Sequence, residues 1–324
     1  MSVKTLPIVL ITHTLPEEWI SPLEGRCEMF IGPTDATELD PLLIDLLPQA
    51  EGLFTLLTIP VTERVLRKSP KLRVVSNMAV GVDNIDVQAC TLRKIPVGNT
   101  PGVLTESTAD LTMALLLSIA RNIPSASMDA REGRWKTWAP SGWLGMELNG
   151  STLGIIGMGK IGKAVARRAM GFGMKILFTD PETRNEINAI QLPLGELLKN
   201  SDIISLHTPL TGETRGMINQ STLTMMKPTA ILINTARGPL IDTPAIVDAL
   251  VNNKIAAAAL DVTDPEPLPP THPLYGLPNC LIVPHIGSAT QLTRLKMAAM
   301  ACENLLAGLE GVRLPNCVNP EVYS

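Results

Sequence analysis

Three residues late in the chain could do chemistry together: Arg237, Glu266 and His285, each just beyond a short apolar run. A histidine can hand over a proton near neutral pH, and a carboxylate beside it fixes the ring and favours its protonated form. An arginine carries a permanent charge and a planar fork that grips a carboxylate and polarises an adjacent carbonyl. Each has an ordinary reading alone, because strand-end arginines form surface ion pairs and glutamates beside prolines sit in solvated turns. As a set they suit the reduction of a carbonyl that lies beside a carboxylate. His207 is the rival proton donor, read here as lining a cofactor, while His13 and His272 read as structural or exposed.

Such residues act together only if strands bring their ends to one edge. Apolar runs at 202–206, 230–234, 257–262 and 281–283 alternate with helical patterns at 194–200, 220–226 and 244–252. Two further strands, ending at Ile156 and Thr179, flank the turn Gly157-Met158-Gly159-Lys160-Ile161-Gly162 and a helical run at 163–169. The first glycine permits the tight turn, the second lets a pyrophosphate approach the backbone, and the third lets helix and strand pack closely. Unpaired N–H groups at the helix start then face the anion. Asp180 follows about 20 residues on, where a carboxylate accepts ribose hydroxyls. The spacing predicts a six-stranded doubly wound sheet that binds a dinucleotide beyond the carboxyl ends of its strands.

The first 100 residues repeat the alternation without a glycine fingerprint, with strands at 8–12, 51–57, 73–78 and 95–99 and helices at 41–47 and 62–67. The loop from Asn77 through Val80 and Gly81 to Asp83 can expose consecutive N–H groups to a carboxylate, or it can be a plain turn capped by Asp83. A helix at 106–121 reads as apolar all round and so as buried between domains. The irregular segment 131–148 holds Trp135, Trp138 and Trp143 and reads as an interface arm, or as an arm folded on its own domain.

The bulk properties set the class. With 324 residues, 45% of them hydrophobic, the chain is long enough for two cores. A net charge of -4 offers no basic field to nucleic acid or anionic lipid. Five scattered cysteines form no metal-binding spacing and read as free thiols. No signal-peptide pattern opens the chain, and the most apolar run is too short to span a bilayer, so a cytoplasmic protein is expected.

The chain resembles the D-isomer-specific 2-hydroxyacid dehydrogenase family over nearly its whole length. The likeness rests on Gly157 to Gly162, on Ile233-Asn234-Thr235-Ala236-Arg237-Gly238, on Ala259-Leu260-Asp261-Val262 with Glu266, and on Pro284-His285. Lys254 to Ala258, Pro265 to Pro269 and Pro284 to Thr290 look closest to the glyoxylate/hydroxypyruvate reductase branch.

The resemblance implies two doubly wound parallel-sheet domains, a Rossmann cofactor domain at 101–289 inserted in a flavodoxin-like substrate domain at 1–100 plus 290–324. A final helix at about 291–310 completes the latter. The implied catalytic residues are Arg237, Glu266 and His285, with Leu57, Val80, Gly81, Arg237, Ser288 and Trp138 around a small 2-oxo acid. Around the cofactor stand Thr108, Gly157, Met158, Gly159, Lys160, Ile161, Gly162, Asp180, His207, Thr208, Pro209, Thr214, Thr235, Ala236, Asp261, His285 and Gly287. Asp180 would repel a 2'-phosphate, so NAD(H) is expected over NADP(H), although Arg184 lies close by. The implied reaction is reduction of glyoxylate and hydroxypyruvate by a homodimer joined through the 131–148 arm, with no metal. The alternatives are a D-lactate or other D-2-hydroxyacid dehydrogenase, and a cofactor-sensing protein like the C-terminal-binding corepressors.

Overall fold

A computed structural model describes residues 5–184 and 188–324. The chain divides into two compact units, one running up to Leu104 and resuming over Thr290–Ser324, the other spanning Thr105–Ala289.

Unit 1 is built on five strands: β1 (Ile8–Ile11), β2 (Glu28–Ile31), β3 (Gly52–Thr55), β4 (Val74–Asn77) and β5 (Val97–Gly98). They lie in the order β2-β1-β3-β4-β5, and every pairing is parallel. Parallel neighbours require crossovers, supplied by α1 (Glu17–Ile20), α2 (Pro41–Leu46), α3 (Glu63–Lys68) and α4 (Val87–Leu92). α2 starts where Asp40 accepts the Leu42 N–H and Pro41 presets φ. The C-terminal helix Gln291–Glu310, capped by Thr290 and ended by Gly311 in the left-handed region, packs its Ala298, Ala301 and Leu305 into the core holding Val9, Phe54 and Val74. The sequence reading lacked β2, whose edge position and half-exposed Glu-Met-Phe-Ile carry little apolar signal.

Unit 2 holds seven parallel strands: β6 (Thr152–Ile156), β7 (Lys175–Thr179), β8 (Ala189–Gln191), β9 (Ile203–Leu206), β10 (Ile231–Asn234), β11 (Ala257–Leu260) and β12 (Cys280–Ile282). Their order is β12-β11-β10-β9-β6-β7-β8. The expected six-stranded sheet is therefore extended by β8, a three-residue edge strand too short to declare itself. Successive strand residues point to opposite faces, which divides the interior into two layers. Leu153, Ile155, Ile203, Ile231, Ile233, Ala257 and Ala259 pack on one face, and Ile156, Ile204, Leu206, Leu232, Ala258 and Leu260 on the other.

The first layer is covered by α5 (Thr105–Ala120) and α7 (Lys160–Gly171), and the second by α8 (Leu194–Asn200), α9 (Gln220–Met225) and α10 (Thr243–Val251). The reading of α5 as buried on all sides is corrected. Glu106, Asp110 and Ala114, one helical turn apart, form an exposed stripe, and Arg168 of α7 pairs with both acids at 2.7 Å. The helix belongs to unit 2 and presents Ala109, Met113 and Leu116 to the sheet. α6 (Ile123–Arg131) was also unforeseen, because it buries no residue. Among the described residues no helix is long and apolar enough to cross a membrane. All five cysteines are free.

Asn319 ties the chain end to the edge of the first sheet. Its fully buried side chain accepts the Val97 N–H at 2.8 Å and donates to Ile95 O and Thr91 Oγ1 at 3.0 Å each. Asn319→Ala leaves those groups buried and unpaired, so unfolding in urea should show a loss of about 2–4 kcal/mol.

Candidate active site

The site in unit 2 grows from adjacent strand ends. In register, Leu206 of β9 pairs with Asn234 of β10, and Asn234 with Leu260 of β11, so His207, Thr235 and Asp261 leave the sheet side by side. Asn234 shapes the turn that carries Arg237. Its Oδ1 accepts the Ala236 N–H at 3.0 Å and its Nδ2 donates to Arg237 O at 2.8 Å. The guanidinium also donates to Ala236 O at 2.8 Å. Gly238 must be glycine, because a Cβ there would stand 1.8 Å from Thr263 O. That close approach seats the arginine turn on the loop leading to Glu266.

His285 follows β12 at φ 51, an uncommon conformation for a residue with a side chain. Asp261 and Val283 hold it there, their carbonyls accepting the His285 N–H at 2.9 and 3.0 Å. The buried Asp261 carboxylate then accepts from Ile286 N–H at 2.6 Å and Gly287 N–H at 2.9 Å. Burial pushes its pKa above the usual carboxylate value despite those bonds. The loop so fixed places His285 Nδ1 2.6 Å from Glu266 Oε1. An ionised carboxylate only accepts, so Nδ1 carries a hydrogen and Nε2 is the nitrogen left for proton exchange. Arg237, Glu266 and His285 thus stand on three neighbouring, mutually fixed loops, with Ser288 directly after Gly287.

The glycine turn matches its expected geometry and would fit a dinucleotide. Gly157 has φ 96, and a Cβ there would meet the His207 carbonyl at 2.7 Å. At Gly162 a Cβ would lie 2.2 Å from Gly157 O, whereas at Gly159 it would meet nothing within 4 Å. Gly159 therefore opens a free approach to the start of α7. No side chain caps that helix, so its first N–H groups are left for an anion. Gly159, Lys160 and Ile161 are the residues that would hold the pyrophosphate.

Asp180 directly follows β7, with its side chain only 8% exposed. Its carboxylate accepts from Met158 N–H at 2.9 Å and Glu182 N–H at 3.1 Å, and pairs with Arg184 at 3.0 Å. Burial opposes ionisation there, but Arg184 and the two amides hold the pKa below the usual value. Although part of its ring surface is exposed, His207 is desolvated enough to be pushed down to about 4. Its Nε2 lies 2.8 Å from Ser205 Oγ. It is neutral at pH 7 and poorly suited to donate a proton. Thr214 closes the turn after Thr208 by donating to Pro209 O at 2.7 Å, and Thr235 bonds Thr112 of α5 at 2.9 Å. Thr108 donates to Gly287 O at 3.3 Å.

In unit 1 the loop after β4 has its carbonyls tied down. Ala79 O accepts from Thr100 N–H and Val80 O from Asn99 Nδ2, both at 2.8 Å, and Gly81 O accepts from Asn77 Nδ2 at 2.9 Å. A trans peptide points its N–H opposite its carbonyl, so the Val80 and Gly81 N–H groups are turned outward. Among the described residues those two N–H groups have no acceptor. Such a pair can hold a carboxylate. Leu57 lies in the loop after β3, in the same unit.

The arm carries Trp135, Trp138 and Trp143 at 62%, 80% and 38% exposure, a concentration of surface indole unlike the rest of the chain. Trp143 Nε1 donates to Asp129 at 2.8 Å, fastening the arm to α6. His272 caps a short turn by accepting the Leu274 N–H at 3.3 Å, and His13 is buried. Sequence reasoning missed the parts played by Asn234, Asn77 and Asn99. For Asn234 the available signal was an asparagine closing a strand just before a glycine-containing turn.

Known proteins resemble this chain over nearly its whole length. Residues 113–287 match the family described as D-isomer specific 2-hydroxyacid dehydrogenase, NAD binding domain. A glyoxylate reductase of Korarchaeum cryptofilum is 46% identical over 98% of this chain and 97% of its own. A solved structure from Thermus thermophilus superposes with TM-score 0.90 at 47% identity, covering 96% of this chain and 99% of that one. A Sinorhizobium meliloti NADPH-dependent glyoxylate/hydroxypyruvate reductase, solved with NADP and malonate, is 31% identical with TM-score 0.87, covering 98% of each chain. The chain belongs to the D-isomer specific 2-hydroxyacid dehydrogenase family, and unit 2 is its NAD-binding domain.

The His207 shift gives a pH test. The unfolded chain takes up this proton near 6.5 and the folded one near 4, so stability is full above 6.5 and falls as pH drops towards 4. Urea midpoints of His207→Asn should lose less than wild type over that interval.

Proposed function

We propose that the protein reduces glyoxylate and hydroxypyruvate to glycolate and D-glycerate, with NADH preferred. The observation that carries this reading is the Glu266–His285 contact at 2.6 Å, two loops from Arg237 at the edge of a dinucleotide-binding sheet. The reductases named above support the substrate class. The nicotinamide, when bound, supplies the hydride that reduces the carbonyl carbon. Arg237 pairs with the substrate carboxylate and polarises the carbonyl, and the outward Val80 and Gly81 N–H groups are the carboxylate donors that unit 1 offers. His285 Nε2–H protonates the oxygen as negative charge develops, and Glu266 keeps the Nδ1–H so that the ring turns no other nitrogen to the substrate. Asp261 fixes the His285 loop, and Thr108 steadies it from α5 through Gly287 O.

Asp180 supports NADH, since a buried ionised carboxylate repels a 2'-phosphate. Arg184 partly offsets that charge, so we infer a preference short of exclusion. We also infer a cytoplasmic homodimer, with the exposed tryptophans as the contact and Trp138 as the residue that reaches the partner's substrate.

Initial rates with glyoxylate, hydroxypyruvate and pyruvate, each with NADH and NADPH, test the reading on wild type and Asp180→Ala. Glyoxylate and hydroxypyruvate with NADH should be the fastest pairs, and Asp180→Ala should narrow the NADH/NADPH ratio by about tenfold or more. Faster pyruvate turnover would displace the substrate assignment, and no turnover of any acid would favour a binding protein.

A further inference from the structure

Unit 1 contains a hydrogen-bond relay that the reaction above does not use. Asn84 Nδ2 donates to two carbonyls of the loop after β3, Leu56 O and Ile59 O, at 3.1 Å each. Asn84 Oδ1 accepts from Asn77 Nδ2 at 3.2 Å, and the same nitrogen donates to Gly81 O at 2.9 Å. The Asn84 carbonyl also accepts the Val61 N–H at 2.8 Å. One side chain therefore joins the loop that carries Leu57 to the loop that carries Val80 and Gly81.

The chemistry requires a primary amide. Asparagine offers two donors and an acceptor on a short, stiff stem, and here both donors meet carbonyls while the oxygen meets a donor. Aspartate has the same shape but would press oxygens against two carbonyl oxygens. The relay also ends on the Gly81 carbonyl, so it fixes Gly81 on its C-terminal side while the Ala79 and Val80 carbonyl bonds fix the two peptides that carry the outward N–H groups. The loop after β3 has a second anchor, because Thr58 Oγ1 lies 2.9 Å from His13 Nε2, which itself sits 3.0 Å from Ala36 O. That anchor would remain in an Asn84 variant.

We propose that Asn84, acting through Asn77, is a positioning residue that sets the Val80–Gly81 N–H pair and the Leu57 loop in one register for the substrate carboxylate. This rests on the reading that those N–H groups take the carboxylate. An anion held by two fixed amides is sensitive to small rotations of either peptide, whereas the dinucleotide turn lies in the other unit. The relay therefore governs substrate affinity and leaves cofactor affinity alone.

Calorimetric titration of oxalate, a carboxylate probe with no reducible carbonyl, tests this on NADH-saturated wild type, Asn84→Ala and Asn84→Asp. Oxalate affinity should fall about tenfold in Asn84→Ala and further in Asn84→Asp. The KM for glyoxylate should rise in parallel and Tm should fall by a few degrees with the lost hydrogen bonds, while kcat and the NADH Kd stay near wild type. Unchanged oxalate affinity would overturn the proposal, as would a parallel loss of oxalate affinity, NADH affinity and Tm, which marks a merely structural role. If Asn84→Ala fails to fold, Asn84→Ser, which keeps a short polar side chain but loses the fork to Leu56 O and Ile59 O, should weaken oxalate in the same way; no weakening there overturns the proposal. Wild type that binds oxalate but turns over no 2-oxo acid would remove the proposed reaction and leave the binding comparison intact.

Discussion

The arrangement of the catalytic edge depends on one buried carboxylate. Asp261 leaves β11 and accepts from Ile286 and Gly287 N–H at 2.6 and 2.9 Å, while its own carbonyl holds the His285 N–H at 2.9 Å. Three bonds from one residue hold the backbone of the histidine loop in its left-handed conformation, from which the ring meets Glu266 at 2.6 Å. They come with a desolvated acid, visible in its raised pKa. Gly287 packs closely on that carboxylate, and a Cβ there would press on Asp261 Oδ2 at 3.1 Å.

That constraint is transmitted by small residues. Ala257 and Ala259 of β11 face the layer of α5, and their size lets the helix lie close enough for Thr108 to reach Gly287 O and Thr112 to reach Thr235. Gly238 against Thr263, and Gly157 against His207, are the same device in two other places: backbone brought to backbone where a side chain would hold loops apart. The Glu266–His285 pair, the arginine turn and the glycine turn are in this way fixed to one sheet edge.

The parts legible in the sequence were those with a strict period or a glycine requirement. Strands such as Ile231–Asn234 are unbroken apolar runs buried on both faces between helical patterns, and Gly157, Gly159 and Gly162 keep a spacing that little else explains. Arg237, Glu266 and His285 could be grouped because parallel strands send their ends one way. Edge elements were hard to see: Glu28–Ile31 and Ala189–Gln191 bury little and so carry little pattern. α5 misled because Asp110 and Ala114 give an exposed stripe too thin to register against Leu115, Leu116 and Leu117. Asn84 was invisible for another reason. An asparagine that fastens two carbonyls across loops looks, as a letter, like any turn asparagine, and only the tertiary partners tell them apart.

The proton held between Glu266 and His285 is the centre of the proposed reaction. The most direct measurement is kcat for glyoxylate reduction by His285→Ala, taken beside its NADH Kd from fluorescence titration. A fall in kcat of about 10²–10⁴-fold with NADH affinity unchanged is predicted. A variant that binds NADH normally and turns over near the wild-type rate would contradict that role, and would move the proton source to another group.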